Sequence, residues 1–236
     1  MASTPTQGIA GAISSTLFPE YRNIHEDDRA SYTTGAVVVS TVFATLMLGV
    51  MSALATPEVN LFLGRQWMST IPMLVALTIA LVTLVPQWTL SLASQALLGF
   101  GAQKSSRLTM LVGGIAGAVG VAISGNVYIG IAAIGALQGA GHAVDIYAAG
   151  RSNMVQVGKL LKCYARTLAA TLPLFTIGLL QGARLWSIVT PTDYILLALL
   201  TLVTAVFAAR ILLCGSTRKA AEDLGLVPAW KWPSNA

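Results

Sequence analysis

The chain has 236 residues, 55% of them hydrophobic and only 10% charged, with a mean hydropathy of +0.73. Soluble domains carry about 25% charged residues, so a soluble enzyme or binding module is excluded and the chain belongs with membrane proteins. The formal net charge of +5 is no sign of nucleic-acid binding. With no soluble core to display a basic face, the Lys and Arg residues are topology signals.

Three regions follow from composition: a polar N-terminal segment at 1–33, a transmembrane helical domain at 34–214 and a polar tail at 215–236. Met1–Pro19 is small and polar, and Glu20–Arg29 is acidic. A secretory signal needs a basic start before an apolar run, and a transit presequence is Arg-rich and poor in acids. Neither pattern is present. Thr34–Ala55 then predicts the first span, closed by Thr56-Pro57-Glu58. After Arg65 and Trp67, Met68–Val85 predicts a second span with Pro72 in its first turns, where a missing amide hydrogen costs little. Pro86-Gln87-Trp88 reads as a break, and Thr89–Gln103 as a short segment that crosses, re-enters or lies in the interface.

Leu108–Val144 holds 37 residues without one Asp, Glu, Lys or Arg and is dense in glycine. A single crossing needs about 20 apolar residues, so this stretch approaches two. Ser124-Gly125-Asn126 at its middle is turn chemistry, which predicts a Gly-rich helical hairpin with arms of about 26 Å at 1.5 Å per residue. Gly113, Gly117 and Gly120 line one arm at helical spacing; Gly135 and Gly139, beside Ala132, Ala136 and Ala140, line the other. Helices in lipid associate through close packing that small residues permit. Packing faces are therefore the expected role of these glycines, with a pore lined by bare backbone as the alternative.

Met154–Arg166 reads as a basic amphipathic helix on the membrane surface. Thr167–Ala183 is the next span, and Tyr194–Cys214 the last, after a Thr190-Pro191-Thr192-Asp193 turn. Seven crossings with the N-terminus outside place eleven Lys and Arg residues inside and three outside, a strong bias under the positive-inside rule. That topology puts Ser31 opposite Lys159. Six crossings result if Thr89–Gln103 does not cross. The expected fold is thus an all-α polytopic bundle of about seven spans.

Gln138, His142 and Asp145 fall at i, i+4 and i+7 and share one helix face beside Gly135 and Gly139. Ionisable residues inside spans are expensive and suggest function, and histidine titrates nearest physiological pH. The stripe is either a set of interhelical hydrogen bonds, the favoured reading, or a proton path. Arg166, at the entry to TLAATLPLF, resembles the arginine of the proton-channel a subunit of rotary ATP synthases. The Asn and Gln of that subunit have no counterparts here, so no residue role follows.

Catalytic signatures are absent: no HExxH, GxSxG, P-loop or glycine fingerprint after a strand occurs. The two histidines, one of them in the polar N-terminal segment, cannot supply bis-histidine haem ligation between spans. No cofactor or metal is expected. Cys163 and Cys214 lie beside basic residues without metal spacing and read as free thiols. The sequence predicts a non-catalytic accessory subunit of a multisubunit membrane complex, partnered by other membrane subunits and lipid and not by nucleic acid. Frequency alone favours an energy-transducing complex of the respiratory or ATP synthase type in the mitochondrial inner membrane. The alternative is a small proton- or solute-translocating transporter or channel.

Overall fold

The computed structural model describes residues 24–98, 103–183 and 190–213, and among these there is helix and no strand. The central helix, α1 (Glu26–Ala53), starts well before the apolar run, inside the segment expected to be polar loop. Glu26, Asp27 and Asp28 occupy its first turn, where acidic side chains complement the helix dipole. Small and hydroxylated residues let neighbours approach α1 from several sides. Four of their hydroxyls are satisfied locally: Thr34, Thr41 and Thr45 each donate to the carbonyl four residues back, and Ser40 to the one three back, while the Thr33 and Ser52 hydroxyls are buried with no partner among the described residues.

Thr56-Pro57-Glu58 does not simply close the span but lies in a second short helix, α2 (Ala55–Phe62). Half-burial pushes the Glu58 carboxyl up from 4.5 to about 7, because removing water disfavours the charged form. The fold therefore holds the neutral acid. Its contribution is full below pH 4.5 and is lost as pH rises through about 7. Melting temperature should fall from pH 5 to pH 8, and Glu58→Gln should flatten that slope; an unchanged slope would show that Glu58 is not the group responsible.

A 3-10 turn (Arg65–Thr70), α3 (Ile71–Ala80) and α4 (Leu84–Leu98) follow. The expected break at Pro86-Gln87-Trp88 lies instead at Leu81–Thr83, and Pro86 sits in the first turn of α4, where it is tolerated. Backbone hydrogen bonds bridge the interruption: Leu81 N–H donates to Leu77, Leu84 N–H to Leu81 and Gln87 N–H to Thr83. Arg65–Ala96 is accordingly one apolar run. Ile71 and Val75 pack with Ala55 and Val59 at one end, while Leu90 and Ala93 pack with Ala36, Val37 and Val38 at the other. The run therefore lies antiparallel to α1 as a single bent column. Thr89–Leu98 is its second half and not a separate crossing; residues 99–102 lie outside the described residues.

Helix α5 (Gln103–Ser124) and α6 (Val127–Arg151) are joined by Gly125 and Asn126. Gly125 adopts φ 65°, a conformation that favours glycine, and the Asn126 side chain accepts from Tyr128 N–H as an N-cap. At the other end of α6, Asn153 at φ 52° completes a Schellman motif: Met154 N–H donates to Ala149 and Asn153 N–H to Gly150. The chain then enters α7 (Val157–Gly182) directly. The expected surface helix at Met154–Arg166 and span at Thr167–Ala183 are thus one uninterrupted helix. Leu160, fully buried near its start, pins the basic turns to the bundle. The last helix, α8 (Pro191–Leu213), begins within the expected turn. Thr190 N–H donates to the Asp193 carboxylate and Asp193 N–H to the Thr190 hydroxyl, a capping box with Pro191 at the first position.

The described residues form six columns, running alternately up and down, with α1 packed against α3, α4, α7 and α8. Gln156 N–H donates to the Thr34 hydroxyl at 2.8 Å. That bond sets the start of α1 and the start of α7 at the same end of the bundle, hereafter the near end, and so places there both Ser31 and Lys159, which were expected on opposite sides of the membrane. Five helices are long and apolar enough to cross a membrane, and Met110–Ser124 is a shorter apolar helix. Large apolar side chains such as Ile123, Leu202, Val203 and Phe207 face outward. The architecture is that of an all-helical bundle compatible with an integral membrane protein.

Candidate functional site

The polar face of α6 turns into the bundle. Gln138 is 6% and His142 3% exposed, and Asp145 is half-buried. The His142 Nε2 atom lies 2.7 Å from the Tyr164 hydroxyl of α7, and Thr41 of α1 lies beside the same phenol. Thr41 itself donates to the Val37 carbonyl at 2.7 Å. Either partner of the His142–Tyr164 bond can donate, according to the imidazole tautomer. Both His142 Nδ1 and Gln138 Nε2 are buried without a hydrogen-bond partner among the described residues. Asp145 sits further along and accepts from Gln87 Nε2 of α4 at 3.4 Å.

The three expected residues thus share one face, and two of them have a hydrogen-bond partner. The His142–Tyr164 bond ties α6 to α7, and the Asp145–Gln87 bond ties α6 to α4. Thr41, Gln87 and Tyr164 were not visible as site residues in the sequence. Gln87 fell in an expected break and Tyr164 in an expected surface helix; only a correct placement of α4 and α7 brings them to the stripe. Among the described residues no group of three or more His, Cys, Asp or Glu side chains could hold a metal.

In a double-mutant cycle, His142→Phe and Tyr164→Phe should show a coupling of about 0.6 kcal/mol, and at most about 1.7, the range for interhelical bonds in a membrane protein. Zero coupling in thermal melts would mean the bond does not form.

The glycines divide. A Cβ on Gly113 would meet Leu137 at 3.1 Å, one on Gly117 the Gly130 carbonyl at 3.2 Å, and one on Gly120 the Ile129 side chain at 3.1 Å. Gly135 faces the other way, and a Cβ there would meet Ala80, just before the interruption in the bent column, at 3.0 Å. A Cβ on Gly139 would meet nothing within 4 Å, and Ala132, Ala136 and Ala140 beside it are exposed. Other close approaches, the closest of them at Gly178, are ones the sequence reading passed over. Gly178 and Gly182, four apart on α7, meet Ser52 of α1 and Pro72 of α3, and Gly49 meets Leu174. Their spacing was a visible signal.

One further polar side chain sits at a helix junction. Gln181 Nε2 donates to the Ala53 carbonyl at 2.6 Å, while its Oε1 accepts from Thr56 N–H at 3.2 Å. It joins backbone groups on both sides of the bend between α1 and α2.

Comparison with known proteins gives no match: no family model, curated protein or solved structure is significantly similar to the chain.

Proposed function

We propose that this chain is a non-catalytic integral-membrane subunit of a multisubunit membrane complex, crossing the bilayer six times with α5 and α6 as a Gly-rich hairpin at its edge. One observation carries the reading: the outward face of α6 is a row of small residues, Ala132, Ala136 and Ala140, all exposed. In lipid such a face suits close approach by another helix, whereas bulky apolar faces suit acyl chains. The hydrogen bonds of His142 to Tyr164 and of Asp145 to Gln87 support the same reading, since they give the polar stripe a structural use.

Charge supports six crossings. Among the described residues Arg29, Lys104, Arg107, Arg151, Lys159, Lys162, Arg166 and Arg210 belong to the near-end half of the bundle, and only Arg65 to the far end. The positive-inside rule then places the near end inside. Single cysteines at Ser31 and Ser152 should be labelled by an impermeant thiol reagent from one side of the membrane and a cysteine at Ser69 from the other, with Cys163 and Cys214 replaced. Ser31 and Ser152 on opposite sides would return the topology to seven crossings.

The functional test is purification in mild detergent. Partner proteins should remain at fixed stoichiometry, and Ala136→Leu should release them without lowering the chain's own melting temperature. A chain that purifies alone and moves protons or solute after reconstitution would sink the proposal. That second reading, a small transporter, draws on the interrupted column at Leu81–Thr83, which lies beside Gly135 and the polar stripe. Interrupted helices are where many transporters bind ions or substrate.

A further inference from the structure

The near end of α7 carries a feature that subunit packing does not use. Lys159, Lys162 and Arg166 follow one another at three- and four-residue steps, so they form one ridge on the helix. All three are exposed. Arg166 lies nine residues after Val157, about 13 Å along the axis at 1.5 Å per residue. Its Nη2 donates to the Ile211 carbonyl in the last turn of α8 at 2.7 Å, which satisfies one terminal carbonyl of that helix. A guanidinium has five N–H donors, so four remain. Arg210, exposed and next in chain to Ile211, adds a fourth cation at the same place. No ion pair of the four is present among the described residues, whose near-end acidic cluster, Glu26–Asp28, belongs to the first turn of α1.

Beneath these cations the surface turns apolar at once. On the α7 ridge the next exposed residues are the compact Ala169 and Pro173, and α8 exposes Val203 and Phe207. At 26 residues, α7 is about 39 Å long, longer than a hydrocarbon layer of about 30 Å. If Gly182 meets the far boundary, Lys159 and Lys162 stand in the headgroup region and Arg166 just below it, within reach by extending its side chain upward. A dense positive group directly above an apolar surface is the shape of an anionic phospholipid written in negative: phosphate above, acyl chain below. Basic side chains near such a surface attract anionic lipid.

The geometry points to a binding site for one anionic phospholipid on the outer face of α7 and α8, its phosphate held by Lys159, Lys162, Arg166 and Arg210. The site rests on the bundle lying in a membrane, and not on its being a subunit of a complex. The test is native mass spectrometry of the full chain, released from detergent and titrated with phosphatidylglycerol, phosphatidylcholine or inorganic phosphate. Phosphatidylglycerol should bind about tenfold more tightly than phosphatidylcholine, and inorganic phosphate should neither bind nor compete. Lys159→Gln with Lys162→Gln should erase the preference while leaving the circular-dichroism melt unchanged, since both lysines are exposed and neither has an ion-pair partner among the described residues. Arg151→Gln, which removes an exposed cation at the same end but on α6, should keep the preference. Equal binding of the two lipids, a preference that survives the double substitution, an equal loss in Arg151→Gln, or competition by phosphate alone would each overturn the site. A chain that stays soluble without detergent overturns the site together with the membrane reading, and so is distinguishable from failure of the site alone.

Discussion

Gln181→Leu lowers the stability of the bundle by about 2–5 kcal/mol. Leucine keeps the bulk of the side chain, so the loss is not a cavity effect. It strands the Ala53 carbonyl and the Thr56 N–H, which the Gln181 amide joins at 2.6 and 3.2 Å. Ala53, Thr56 and Gln181 are all buried, so water does not replace the amide freely, and each stranded group costs about 1–3 kcal/mol. Gln181→Glu is the sharper probe. A carboxylate can still accept from Thr56 N–H, but it presents a lone pair to the Ala53 carbonyl in place of a donor. The glutamate variant should therefore not recover the loss. Thermal unfolding by circular dichroism in detergent reads both changes. A leucine variant that melts with the parent protein would show that the bend between α1 and α2 is solvated or rearranged.

That residue illustrates where the sequence could be read and where it could not. Turn and cap chemistry is local, and so Gly125 and Asn126 were assigned to a connection from composition alone. Hydropathy is likewise a property of windows, and the all-helical, membrane-compatible class follows from it. The count of columns is not local. Thr89–Gln103 and Met68–Val85 have similar polarity and a proline between them, and a proline in the first turn of a helix resembles one that ends a helix until neighbours are known. The hydrogen bonds across Leu81–Thr83 and the packing of Ala93 against the start of α1 decide it. The same holds for α7: nothing in Met154–Arg166 alone separates a helix lying on a membrane from the first turns of a crossing one. The polar stripe was half legible. Spacing put Gln138, His142 and Asp145 on one face, but Tyr164, Thr41 and Gln87 come from other helices. Pair geometry of that kind has no trace in a single sequence. Glycines misled in the opposite direction, because density drew attention to Leu108–Val144 while the closest approach was made by Gly178.

Gly178→Ala is accordingly the substitution expected to harm this protein most for its size. A Cβ there would sit 2.6 Å from the Ser52 carbonyl oxygen and 2.8 Å from its carbon, and closer still to Ser52 Oγ. Rotating the serine side chain relieves only the last of these, since the other two atoms are backbone of the central helix. Helices α1 and α7 must then separate, loosening Gly49 from Leu174 as well. Overpacking a well-filled interior costs about 1–3 kcal/mol and occasionally more, and a rigid helix–helix contact belongs at the upper end, near 3 kcal/mol. Two comparisons isolate the cause. Ser52→Gly combined with Gly178→Ala removes the hydroxyl but not the backbone, so it should restore little. Gly139→Ala, where a Cβ meets nothing within 4 Å, should raise stability by about 0.5–1 kcal/mol through helix propensity alone. If Gly178→Ala and Gly139→Ala melt alike, α1 and α7 are not in backbone contact. If instead the serine-to-glycine change fully rescues Gly178→Ala, the contact is through the hydroxyl, and the helices lie further apart than their small residues allow.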